Sequence, residues 1–263
     1  MNPVAGSDSS PLPDTETTRP SKVPEVTLAF WVIKIAATTL GETAGDAVSM
    51  SMNLGYLVAT AIFAAMFVVM VVLQIKATSF RPLLYWGTII ATTTVGTTLA
   101  DFADRSLGIG YAGGVTLLAT FLAASLLAWK RVLGTVSIAS VRTPRAEWFY
   151  WATIMFSQTL GTALGDWMAD DAGFGYLGSA VVFGGALVVL ALAAKLTRIS
   201  RTALFWAAFI LTRPLGAVVG DFLDKPVDSG GLALSRYSAS IVLAVFMLVA
   251  IVLTKPKAAS VAH

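Results

Sequence analysis

The chain has 263 residues, of which 56% are hydrophobic and only 13% are charged. A soluble domain carries roughly 25% charged residues, so this composition excludes a soluble enzyme and predicts that a lipid bilayer surrounds most of the surface. The net charge of +3 is too small to indicate nucleic-acid binding. The chain contains no cysteine, and its one histidine is His263. Thiolate and imidazole metal sites are therefore excluded, and we expect neither a cofactor nor enzyme activity.

Residues 1–25 are rich in proline, serine, threonine and acidic residues and contain no apolar run, which predicts a disordered cytoplasmic tail. Eight apolar stretches follow, and each is long enough for the roughly 20 helical residues that cross a bilayer. They cover residues 27–50, 54–75, 82–103, 110–130, 147–169, 174–195, 202–223 and 233–254. The predicted fold class is all-α, a polytopic membrane domain over 26–254 with eight transmembrane helices, followed by a cytoplasmic tail at 255–263.

The lysines and arginines predict the orientation of this domain. Thirteen of the eighteen fall at one set of helix ends, whereas the opposite loops hold only Arg105, Lys225 and Arg236 beside several aspartates. Because cytoplasmic loops carry the excess of positive charge, both termini are expected in the cytoplasm. The expected location is the bacterial inner membrane.

A four-fold internal repeat organises the sequence. Each copy has a tryptophan, a glycine ten residues later and an aspartate five residues beyond that glycine. The copies are Trp31-Gly41-Asp46, Trp86-Gly96-Asp101, Trp151-Gly161-Asp166 and Trp206-Gly216-Asp221. The repeats cover about 27–76, 82–131, 147–196 and 202–254. Since all four first helices run the same way, we predict parallel two-helix hairpins around a common axis, with the first helices inside.

With this pattern the chain resembles a family of bacterial integral membrane proteins, built from four tandem two-helix repeats that each carry a tryptophan, whose function is unknown. The resemblance covers about residues 27–254 and implies the architecture without any catalytic residue. The string GETAGD at 41–46 is also similar to the acidic Glu-x-Gly-Asp helices of cation exporters. It departs from them in having Thr43 and Ala44 where that pattern has one residue, and only the first copy has the glutamate.

The repeated carboxylates are the candidate ion ligands. If the tryptophans mark the cytoplasmic interface, each motif aspartate lies fifteen residues deeper, about 22 Å along its helix. Four converging carboxylates without cations of their own would repel, so a positive ion is expected to enter. The predicted metal and ion-path residues are Glu42, Asp46, Asp101, Asp166 and Asp221. The alternative is structural, with each aspartate bonding polar groups of a neighbouring helix.

Positions at which the copies differ are candidates for a substrate site. Three residues before the motif glycine the copies read Thr38, Thr93, Gln158 and Arg213, and one residue after it they read Glu42, Thr97, Thr162 and Ala217. Only the first copy has a lysine seven residues before, Lys34. The candidate path therefore adds Lys34, Gln158 and Arg213 to the carboxylates. These groups form either a satisfied salt-bridge cluster or a site where a protonatable carboxylate and a tethered cation exchange partners.

Transport is the predicted function, with a divalent cation of the Mn, Ca or Mg type as substrate because hard oxygen ligands dominate. The alternative is a proton-coupled transporter or channel for a small organic or anionic solute, with Lys34 and Arg213 as its counter-charges. A structural membrane protein without transport activity and an intramembrane aspartyl protease stay open. Substrate, direction, coupling ion and oligomeric state are left undetermined by the sequence.

Overall fold

The computed structural model describes residues 21–259, and over this range the chain forms eight long α-helices. They are α1 (Leu28–Asp46), α2 (Gly55–Lys76), α3 (Pro82–Asp101), α4 (Tyr111–Leu133), α5 (Pro144–Asp166), α6 (Gly175–Leu196), α7 (Arg201–Asp224) and α8 (Arg236–Thr254). Each matches one predicted apolar stretch. The expectations for residues 1–20 and 260–263 concern residues outside this description.

The four first helices form a closed inner ring in the order α1, α3, α5, α7, with α7 returning to α1. The motif glycines allow this close approach, because each receives a side chain from the neighbouring motif helix. The pairs are Gly41 with Thr93, Gly96 with Gln158, Gly161 with Arg213 and Gly216 with Thr38. A β-carbon on any of these glycines would overlap its partner or come within about 3.1 Å of it. The predicted inner ring is confirmed, and the residue that each glycine accommodates is the variable polar one.

The second helix of each repeat packs against the first helix of the next repeat. Thus α2 lies on α3, α4 on α5, α6 on α7, and α8 on α1, whereas the two helices of one repeat make few contacts. The expectation of packed hairpins is therefore wrong. The connection explains the difference, since after each of the first three motif aspartates the helix widens into one π turn and the chain crosses to the next repeat. The glycines that follow, Gly55, Gly110 and Gly175, have φ between 64° and 74°, which favours glycine.

The first and last segments of the described chain, 21–25 and 255–259, are hydrogen-bonded to each other. Glu25 N donates to Lys257 O at 2.9 Å, and Ala259 N donates to Val23 O at 2.8 Å. Val23 and Ala259 are 1% and 2% exposed. Residues 21–25 and 255–259 are thus part of the packed fold, and assigning them to tails is wrong. The sequence could not predict this, because hydrogen bonds between two backbone segments far apart in the chain leave no apolar periodicity in either segment.

Polarity is distributed with apolar side chains outside and polar ones inside. Five helices, α2, α4, α6, α7 and α8, are long and apolar enough to cross a membrane. The second helices expose large apolar side chains such as Leu57, Val69, Val181 and Leu253. The remaining helices α1, α3 and α5 are less apolar because they carry the buried threonines and acids of the inner ring. They are shielded by the others.

Candidate functional site

Every fourth residue of the motif helices contributes to a column of buried side chains between the ring helices, here named the axial column. Counted from the motif glycine, its layers are positions −11, −7, −3, +1 and +5, each about 6 Å from the next. In order they contain Phe30, Tyr85, Tyr150 and Phe205; Lys34, Ile89, Ile154 and Phe209; Thr38, Thr93, Gln158 and Arg213; Glu42, Thr97, Thr162 and Ala217; Asp46, Asp101, Asp166 and Asp221. None of these residues is more than 6% exposed. The column therefore changes from aromatic to acidic along one axis.

The aromatic end of the column includes three of the motif tryptophans. Tyr85 and Tyr150 share a hydrogen bond of 2.6 Å between their hydroxyls. Trp86, Trp151 and Trp206 are at most 5% exposed, and Trp206 Nε1 donates to a loop carbonyl, Val136 O, at 2.9 Å. The tryptophans were expected at the cytoplasmic interface; these three do not face lipid, and their depth in the bilayer stays a prediction. Aromatic rings from neighbouring helices cover them, so they seal the ring rather than anchor it in headgroups.

The middle of the column contains an ion pair between α1 and α7. Arg213 Nη2 donates to Glu42 Oε2 at 2.9 Å and to Thr97 Oγ1 at 2.6 Å, and it also contacts Thr162 Oγ1. A single guanidinium on α7 thus reaches the +1 position of all three other motif helices. This contact is one of those in the salt-bridge alternative, and it leaves open whether the pair also serves transport.

Lys34 and Gln158 do not join that cluster. Lys34 Nζ lies 4.2 Å from the ring centroid of Phe209, and within residues 21–259 it has no hydrogen-bond partner. Neither polar atom of the Gln158 amide has one. Lys34, Gln158 and Arg213 are the polar residues that the sequence added to the carboxylates. Of these three, only Arg213 is paired with Glu42.

The four aspartates of the acidic layer are paired with cations of the chain itself. Arg105 lies 3.0 Å from Asp101 and 3.4 Å from Asp166. Lys225 lies 2.8 Å from Asp46 and 3.0 Å from Asp221. The premise that the aspartates lack cations is therefore wrong, because residues assigned to outer loops fold back over the layer.

These pairs divide the ring into an α3–α5 half and an α7–α1 half. On the second half Arg236 adds a contact of 3.2 Å to Asp224. Burial lowers the pKa of Lys225, but the carboxylates of Asp221 and Asp46 outweigh burial and raise it above its ordinary value. The ammonium therefore stays charged between them. Arg105 and Lys225 were missed as site residues, although their spacing of four residues from Asp101 and Asp221 was a readable signal.

Three carboxylates lie close enough to share a cation. One ligand oxygen from each of Glu42, Asp46 and Asp221 lies within 4.8 Å of the others, and all three residues are buried. Asp101 and Asp166, predicted as ligands of the same ion, are instead bound to Arg105. The five predicted metal ligands thus separate into a trio, here named the carboxylate trio, and an arginine-bridged pair.

A second charged cluster lies at the aromatic end of the molecule. Lys22 Nζ lies 2.5 Å from Glu147 Oε1 and donates to the carbonyls of Gln74, Ile75 and Ala77 at 3.0 Å each. Lys22 is 7% exposed and Glu147 is 1% exposed. Lys22 caps the carboxyl end of α2 and, through Glu147, connects it to the start of α5. The sequence offered no signal for it, since Lys22 sits in a polar, proline-flanked segment.

Comparison with known proteins places the repeats in a described family. No curated protein and no solved structure matches the chain. A family model described as Repeat of Unknown Function (DUF347) matches four times, at residues 29–79, 84–135, 149–200 and 204–255. These ranges agree with the four tandem repeats predicted from the Trp-Gly-Asp pattern, and together they cover most of the sequence. The chain belongs to this family of proteins with a repeat of unknown function.

Proposed function

We propose that this is a multi-pass membrane protein in which all eight helices cross the bilayer and both termini are cytoplasmic. The support is the reversed polarity, with apolar outer helices around a polar ring. Lipid satisfies no backbone polar group, and a helix satisfies its own, so an all-helical domain suits this environment. Within residues 21–259 the charged residues lie in the ring interior, at helix ends or in connecting segments, as expected for ionisable groups of a membrane protein.

The proposed activity is transport of a divalent cation along the axial column. The observation that carries it is the carboxylate trio, three buried acidic residues on α1 and α7 whose oxygens converge. Carboxylate oxygens are the ligands of Mg, Ca and Mn ions. A cation entering from the acidic end would meet Asp46 and Asp221 in the aspartate layer and Glu42 one layer deeper.

Lys225 occupies the place that such a cation would take. Its ammonium contacts Asp46 and Asp221, so an entering ion has to displace it. In this scheme the lysine offsets part of the negative charge of the empty site, and Asp46 and Asp221 alternate between the tethered ammonium and the transported ion. Deeper in the column, the Arg213–Glu42 pair and the aromatic layer close the path.

The proposal is tested by the metal content of cells that express the protein. Asp46→Asn is the informative variant, because it removes one trio member while Lys225 keeps Asp221 as its partner. The matched control is Asp228→Asn at an exposed loop carboxylate. We expect the wild type and the control to change the content of Mg, Ca or Mn relative to cells without the protein, and Asp46→Asn to abolish the change. Unchanged metal content with wild-type protein present at normal level would contradict the proposal.

A further inference from the structure

Buried hydrogen-bond donors without acceptors cluster at the centre of the ring. They are Nζ of Lys34, Nε2 of Gln158, and Nε and Nη1 of Arg213, none of which has a hydrogen-bond partner within residues 21–259. All three side chains are 0% exposed. Leaving a buried donor unsatisfied is costly, and folded proteins satisfy nearly all of them with protein, water or ligand. Three such residues together indicate a missing acceptor.

The three residues occupy adjacent layers of the axial column. Gln158 on α5 and Arg213 on α7 share the −3 layer, and Lys34 on α1 lies one layer away, about 6 Å along the axis. The Lys34 ammonium lies over Phe209, which is one helical turn before Arg213. The donors therefore surround one region rather than three separate ones.

Charge in this region is unbalanced. The charged groups of the −7, −3 and +1 layers are Lys34, Arg213 and Glu42. The carboxylate of Glu42 is bound to Nη2 of Arg213, which leaves Lys34 with an aromatic face and no counter-charge. An ammonium offers three donors and a guanidinium offers five, while neither accepts a hydrogen bond. A ligand that fits must carry acceptors and negative charge.

We propose that Lys34, Gln158 and Arg213 form a binding site for a small anion, either a halide or a compact oxyanion such as a carboxylate or phosphate. Lys34 supplies the unmatched charge, and the free nitrogens of Arg213 and Gln158 supply directed donors. Arg213 links the site to the trio through Glu42, whereas Lys34 and Gln158 hydrogen-bond to no trio residue. The inference goes beyond cation transport, and its test uses Lys34 and Gln158 so that it can fail separately from the transport proposal.

The test is direct anion binding to the purified full-length protein in neutral detergent. Sodium chloride, acetate and phosphate are titrated in turn against constant ionic strength set with bulky gluconate, and the melting temperature and heat of binding are recorded. We expect at least one of these anions to bind saturably and raise the melting temperature. Lys34→Met and Gln158→Leu should each weaken its affinity at least tenfold. The control Lys195→Met, at an exposed lysine, should leave the affinity unchanged.

The melting temperature of Lys34→Met in the absence of a binding anion is a second readout, because it separates a ligand-binding lysine from a purely structural one. If Lys34 serves an absent ligand, Lys34→Met removes an unmatched charge and the variant should melt at or above the wild-type temperature in gluconate alone. Failure of all three anions to bind saturably would overturn the proposal. So would a Lys34→Met variant that binds the anion as tightly as the wild type, or one that melts well below it in gluconate.

Discussion

At the scale of single residues, one contact recurs around the ring. A motif glycine receives the polar residue that precedes the next motif glycine by three positions, and this happens four times in cyclic order. The glycines are shared by all copies, whereas the residues they accommodate vary from threonine to arginine. The shared positions thus set the distance between helices, and the variable ones set the chemistry of the column.

Gly161→Ala should destabilise the protein, because the new β-carbon would overlap the Arg213 side chain and approach Pro214 Cδ to 3.1 Å. Overpacking of this kind costs roughly 1–3 kcal/mol. Thermal unfolding in detergent measures the effect. Gly184→Ala on α6 is the control, since nothing lies within 4 Å of its new β-carbon. Equal melting temperatures for the two variants would contradict the packing described for the ring.

Glu42→Gln should also lower the melting temperature, because it leaves the fully buried Arg213 guanidinium without its carboxylate. Removing one partner of a buried ion pair costs about 3–5 kcal/mol. Adding Arg213→Met should restore more of that stability than adding Lys34→Met, since Arg213 contacts Glu42 and Lys34 does not. A larger rescue by Lys34→Met than by Arg213→Met would show that the ion pair has been assigned to the wrong cation.

At the scale of elements, the crossing of each second helix to the next repeat makes the fold cyclic. The last helix, α8, packs on α1, and the paired segments 21–25 and 255–259 close the same junction. Lys22, in the first of these segments, donates hydrogen bonds to carbonyls at the end of α2 and forms an ion pair with Glu147 on α5. One buried lysine therefore joins the amino-terminal segment to two helices that scarcely touch each other.

Lys22→Met should loosen this closure. It removes three hydrogen bonds to carbonyls and strands Glu147 in a buried place, so we expect a lower melting temperature and faster amide hydrogen exchange in residues 21–25. Adding Glu147→Gln should recover part of the melting temperature. Lys76→Met, at an exposed lysine of the same helix end, serves as the control. Hydrogen exchange that stays as slow as in the wild type would show that Lys22 does not fasten the segment.

The sequence predicted the helices and the inner ring because both depend on local periodic signals, the apolar stretches and the Trp-Gly-Asp spacing. It failed where the outcome depends on contacts between distant segments. Packing of α2 on α3 rather than on α1 leaves no mark in residues 55–76, which are apolar throughout. Burial of Lys22 likewise depends on carbonyls more than fifty residues away. The cations of the acidic layer were within reach, since Arg105 and Lys225 each follow a motif aspartate by four residues.

At the scale of the whole molecule, the orientation in the membrane is a prediction of its own. The chain has no cysteine, so single cysteines at exposed loop positions report their side without background. Ser79→Cys and Arg198→Cys should react with an impermeant thiol reagent only after the cells are opened, because cytoplasmic loops carry the excess of cations. Ser106→Cys and Asp228→Cys should react in intact cells. Labelling of all four from one side would rule out the parallel arrangement.

The distribution of buried charged groups along the ring supports the proposed function. The ring has aromatic side chains at one end and paired charges at the other. Stability alone does not explain why so many charged groups are buried in it. Replacing buried ion pairs by apolar residues is often neutral or stabilising. The repeated geometry of the four copies places these costly groups on one axis, where an ion would meet them in the proposed transport.

Flux of Mn²⁺, Ca²⁺ and Mg²⁺ into liposomes that contain the purified protein tests the central claim most directly. A metal-sensitive dye inside the vesicles reports uptake by wild type, Asp46→Asn and the control Asp228→Asn, each checked for equal incorporation. The account predicts uptake of at least one of the three ions by the wild type and the control, and uptake at the level of empty vesicles with Asp46→Asn. Absence of uptake by a folded, incorporated wild-type protein would contradict it, as would undiminished uptake by Asp46→Asn.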